Sequence, residues 1–174
     1  DPETGERDAK MINTRVDFKA EGLTVKYSDT LMPVTEAKAE GYYENNVLVI
    51  KGTHGKVGDI IGTDMDLKMS DISVEGGGIA DITVKAKGPL RTALEYASDE
   101  PIEVGDKLGF DLNKTSGTID FNLTLNFPTI KELQAEQVNV VIDGKVTDLL
   151  LPSVVQGLDL TGGPYDLAYK EGAI

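Results

Sequence analysis

A single histidine, His54 in KGTHGKVGD, and no cysteine at all are what 174 residues offer to the commonest catalytic and metal chemistries. An imidazole serves as a base when a nucleophile stands beside it, and as a metal ligand when other His or Cys side chains join it. Neither a second histidine nor a G-x-S-x-G turn is present, so His54 reads as a turn residue with no catalytic or metal role. Asp64 and Asp66 form a carboxylate pair, yet two residues apart on a strand they both point into water, where nothing lifts a pKa toward acid catalysis. EGGGIA at 75–80 resembles a phosphate loop only in its glycines: no Lys-Ser/Thr follows and no helix starts there. GDKLGFDLNK at 105–114 is acidic but lacks the ligand order of a calcium loop. The sequons at Asn113 and Asn122 matter only in a eukaryotic secretory protein. The residues therefore predict no enzyme, no metal and no cofactor.

What remains is apolar. In GTIDFNLTLNFP, Ile119, Phe121, Leu123, Leu125 and Phe127 share one parity, and Asp120, Asn122, Thr124 and Asn126 the other. A strand turns successive side chains to opposite faces at about 3.3 Å per residue, which makes a long apolar face opposite a wet one. The same alternation runs through Val16, Phe18 and Ala20, then Leu23, Val25 and Tyr27. It continues in Ala37, Ala39, Gly41 and Tyr43, which lead through Glu44-Asn45-Asn46 into VLVI as a hairpin. Met65, Leu67 and Met69 alternate with Asp64, Asp66, Lys68 and Ser70; Ala80, Ile82, Val84 and Ala86 alternate with Asp81, Thr83, Lys85 and Lys87; Val138, Val140 and Ile142 close the series. Helical spacing is clear once, at 89–98, where Leu90, Ala93, Leu94 and Ala97 stand on one face behind Pro89. A second short helix is predicted from Thr129, with Glu132 reaching back to cap it.

The expected fold is thus mainly β: a curved, largely antiparallel sheet of eight or nine strands forming a U-shaped groove, with one or two short helices. Residues 1–14 are expected to be a flexible lead-in, and 15–174 a single β-rich segment cut from a longer, repeat-like protein. TLMP at 30–33 and LLLP at 149–152 each precede a strand-rich stretch, which suggests such a repeat. Packing the five apolar residues of 119–127 as ordinary core is worth about 1.5 to 3 kcal/mol each and accounts for them without a ligand. Against that stands the shortage of cover, because one or two helices and 6% aromatic residues leave much of so large a sheet unroofed. An unroofed apolar trough is a binding site.

Charge limits the partners. Seventeen Lys and Arg against 30 Asp and Glu give a formal net charge of −13, a field that repels phosphate backbones and anionic headgroups. Nucleic acid is excluded as a partner on this ground. No apolar run reaches the roughly 20 residues of a membrane-crossing helix, and DPETGERDAK has neither the basic end nor the apolar stretch of a signal peptide, so any anchor or targeting element is expected outside this fragment.

Three stretches carry a resemblance to a family: LTVKYSDTLMPVTEAKAEGYYENNVLVIKGTHGKVGD, ADITVKAKGPLRTALEYASDEP and SGTIDFNLTLNFP. In order they give a Pro-led hairpin, a turn with Gly55 and Gly58, a strand ending in Gly-Pro, a short helix, and a Gly-led strand ending in Phe-Pro. Over roughly residues 15–170 the chain resembles the middle region of AsmA-like proteins of the YhdP type, relatives of TamB. The resemblance implies a periplasmic protein of diderm bacteria, anchored in the inner membrane and contributing to outer-membrane biogenesis. It further implies bridge-like transport of phospholipid along an apolar β-groove. Acyl chains would lie against Met65, Leu67, Met69, Ile82, Val84, Ile119, Phe121, Leu123, Leu125 and Phe127, while Asp66, Lys85, Asp120 and Asn122 face water. An alternative is a scaffold or assembly module that pairs with outer-membrane or periplasmic proteins through its sheet edges.

Overall fold

The computed structural model describes residues 14–27, 29–72, 77–99, 111–155 and 157–171. Each alternating segment becomes a strand: β1 (Arg15–Val25), β2 (Val34–Glu44), β3 (Val47–Val57), β4 (Ile60–Ser70), β5 (Ile79–Pro89), β6 (Ser116–Pro128), β7 (Asn139–Val155), β8 (Leu158–Gly162) and β9 (Tyr165–Glu171). They make one curved, open antiparallel sheet in sequence order from β1 to β8, with β9 also on β7. The last two strands share one register, since Val146 faces Tyr165 and Leu149 faces Gly162, so together they form a single interrupted edge strand. The sheet is in effect an eight-strand meander with β1 at one edge and β8–β9 at the other.

Turn chemistry sets the meander. Asn45 and Asn46 both take positive φ, 50° and 62°, which is what a two-residue turn of the type favoured between right-twisted strands requires. Gly58, at φ 55°, makes the equally tight turn from β3 to β4; Gly55, expected in a turn, lies inside β3 opposite Gly62.

Helix α1 (Leu90–Ser98) matches the predicted span, with Pro89 as its N-cap at the end of β5. The helix predicted from Thr129 does not form. That segment is an irregular connection whose only helical turn is a 3-10 turn at Ala135–Gln137, and the Thr129 amide donates to the Gly78 carbonyl. This ties the β6–β7 loop to the β4–β5 loop, a non-local bond that competes with a local cap. The two Pro-ended stretches take different places, since Met32 and Pro33 precede β2 whereas Leu149–Pro152 lies inside β7.

The packed core is small. Leu90 of α1 meets Ile119, Val146 and Leu149, with Ala93, Leu94, Phe121 and Leu151 against them. No large side chain among the described residues is fully buried.

Candidate functional site

Pairing places the predicted lining residues on one face. Met69 opposes Leu48 and Ala80, and Ala80 opposes Phe127; Leu67 opposes Ile50 and Ile82, and Ile82 opposes Leu125; Met65 opposes Val84, and Val84 opposes Leu123. Directly opposed residues of an antiparallel pair project from the same side, so these pairings are rows across one surface. Nine of the ten predicted residues line the open face, while Ile119 is buried beneath α1 and belongs to the core. Met65, Leu67, Met69, Ile82, Val84, Phe121, Leu123, Leu125 and Phe127 are half-buried, a level that fits a single sheet on which no second layer stacks among the described residues. Asp66, Lys85, Asp120 and Asn122 are exposed on the opposite side, as predicted.

The rows run further than the predicted set. Leu123 faces Ile142, which faces Tyr169; Leu125 faces Val140; Phe121 faces Gly144, which faces Leu167. At the other edge Phe18 faces Gly41, which faces Ile50. Parity in the sequence marks Phe18, Gly41, Val140 and Ile142 as apolar-facing, but only the register shows that they continue the same rows and brings Gly144, Leu167 and Tyr169 into them.

Helix α1 bounds this surface on one side. Its Leu90 end sits on β6 and β7, and its Tyr96 end reaches the β1–β2 connection. The Tyr27 hydroxyl donates to the Met32 carbonyl at 2.9 Å, so the Tyr96 hydroxyl donates to Tyr27 at 2.6 Å. Burial, with that donation second, pushes the Tyr96 phenol well above its ordinary range. Among the described residues no helix lies over the stretch from Phe121 to Phe127, seven residues spanning about 20 Å. That length exceeds the half-thickness of a ~30 Å bilayer core, the span of one acyl chain. The helix therefore borders the trough and leaves its floor open.

The opposite face is ionic. Asn126 donates to Asp81 at 2.6 Å, and Lys51 lies 3.8 Å from Asp66. His54 is half-buried 3.8 Å from Glu36, which also holds Lys56 at 2.8 Å. The Glu36 carboxyl is held below its usual range, chiefly by the Lys56 hydrogen bond. Gly22, Thr24, Thr35, Lys38 and Thr53 complete a shallow depression around this cluster. No group of three His, Asp or Glu residues suited to a metal occurs among the described residues. Of the glycine run, Glu75 and Gly76 lie outside the described residues; Gly77 is in a turn, Gly78 packs against Thr129, and Ile79 opens β5. Of the acidic stretch at 105–114 only Asp111 to Lys114 is described, as a 3-10 turn whose Asn113 amide donates to the Asp111 carboxylate.

No helix among the described residues is long and apolar enough to cross a membrane. Comparison of the chain with protein-family models, curated proteins and solved structures finds no match.

Proposed function

We propose that this chain is a non-enzymatic groove segment that carries phospholipid by holding acyl chains against the half-exposed apolar rows of β3–β7. The observation that carries the reading is the surface from Phe121 to Phe127 and its neighbours, over which no second layer lies among the described residues, with the buried cluster of Leu90, Ile119, Val146 and Leu149 at one side. Apolar surface of that extent, left open beside a charged opposite face, is worth about 25 cal/mol per Å² to whatever covers it, and a methylene chain covers it without unpaired polar groups. The resemblance to AsmA-like proteins supports the same cargo, a periplasmic site of action, an inner-membrane anchor outside this segment, and transport toward the outer membrane.

The test is paired. Mass spectrometry of protein purified under native conditions should find co-purifying phospholipid, and Leu123→Asp should remove it while Leu123→Ala retains most of it. An ion stripped of water on the trough floor costs several kcal/mol if it stays charged. Lipid-free protein, or a folded Leu123→Asp variant with undiminished lipid, overturns the reading. Melting curves for both variants separate lost binding from lost folding.

A further inference from the structure

Exposed large apolar side chains concentrate at the two sheet edges. Val16, Phe18, Leu23 and Val25 stand on β1, and Leu158, Leu160, Tyr165 and Leu167 on β8–β9. Among the described residues both edges also present unpaired backbone groups, the usual template for adding a strand. Because the meander counts eight strands, its last strand runs antiparallel to its first. A β1 from another molecule laid beside β9 would extend the sheet with the same alternation of direction.

The charged face fixes the register. Lys87, Asp120, Lys145 and Asp166 oppose one another in turn across β5, β6, β7 and β9. Lys19, Glu40, Lys51 and Asp66 do so across β1 to β4. The first ladder stops at an anion on one edge, and the second begins with a cation on the other. We propose that β9 of one copy pairs antiparallel with β1 of a second copy, Asp166 facing Lys19, so that the alternating ladder runs unbroken through the junction.

Two features independent of the charges fall into place in that register. On the apolar face Leu167 meets Phe18, Tyr169 meets Val16 and Tyr165 meets Ala20, so the trough continues from copy to copy. The irregularities coincide as well: Gly163, in the break between β8 and β9, faces Gly22, in the β1 stretch where the register with β2 shifts. Pro164, which has no N–H to give, faces Glu21 in the same irregular stretch. Lys170 falls opposite Arg15, whose guanidinium Asp17 at 2.8 Å and Glu44 at 3.6 Å already compensate. Such a contact is head-to-tail, so it repeats from copy to copy into a ring or a filament. It does not depend on what the trough carries.

The chain has no cysteine, so crosslinking is clean. Phe18→Cys and Leu167→Cys variants, mixed in equal amounts and oxidised, should give the mixed 18–167 disulfide in roughly tenfold excess over like-with-like dimers. In sedimentation velocity, the native chain should associate as concentration rises. Asp166→Lys should weaken that association by roughly fivefold or more, and combining it with Lys19→Glu should restore it. A statistical or like-with-like disulfide pattern, a native chain that stays monomeric at every concentration, or association indifferent to both charge changes would each overturn the pairing. Lipid content measured on the same samples reads the cargo separately.

Discussion

Individual residues in this molecule do two different jobs with the same apolar chemistry. Gly144 shows how tightly the rows are built: a Cβ there would lie 2.6 Å from the Asp120 carbonyl oxygen and 2.8 Å from the Phe121 Cβ. Gly144→Ala should therefore cost about 1 to 3 kcal/mol in chemical denaturation, and an unchanged midpoint would show that the floor yields there. Tyr96 gives a pH signature. Its phenol is held protonated in the fold above the ordinary value of about 10, so its contribution to stability is complete below that pH. Above it the unfolded phenol ionises while the folded one does not, and stability declines. The melting temperature of the native chain should fall more steeply above pH 10 than that of Tyr96→Phe; parallel curves would refute the linkage. The floor residues from Met65 to Phe127 were legible from parity alone. The Tyr27–Tyr96 hydroxyl pair was not, because its partners are 69 positions apart and neither is patterned to announce the other.

Elements repeat the lesson in another form. Strand alternation is a property of each segment by itself, so all the alternating stretches and the Asn45-Asn46 hairpin could be placed from sequence. Helix α1 was equally plain, since Leu90, Ala93 and Leu94 share one face; the helix expected at Thr129 failed because its start signal lost to a backbone bond with Gly78 in another loop. At nine residues, with no side-chain cap at its N-terminus, α1 is below the roughly 12 to 15 residues at which isolated helices become marginal, so packing holds it. Leu90→Ala should accordingly cost about 2 to 5 kcal/mol. Leu123→Ala, half-exposed on the trough floor, should cost only about 1 kcal/mol. Equal penalties, read from urea midpoints at constant slope, would mean that the floor is packed core and not a surface awaiting an occupant.

At the scale of the whole molecule, the sheet separates charge from apolar surface, and the described residues leave the apolar side largely uncovered. Composition and parity implied that separation; how far the rows extend, and that they reach both edges, depends on pairing that no segment encodes alone. A protein built this way should behave unlike either an ordinary domain or a molten state. An apolar dye such as anilinonaphthalene sulfonate should fluoresce with the native protein, as it does with loosely packed states, but here alongside a sharp, cooperative melting transition. Added phospholipid should displace the dye and raise the melting temperature with the logarithm of its concentration, since a ligand that binds only the folded chain stabilises it by mass action. Leu123→Asp should lose both effects while still melting cooperatively. Dye binding that persists in full with saturating lipid would place the exposed apolar surface elsewhere, at the edges of β1 and β9. Absence of dye binding in the native chain would mean that the floor is covered in solution, by further strands or by another copy.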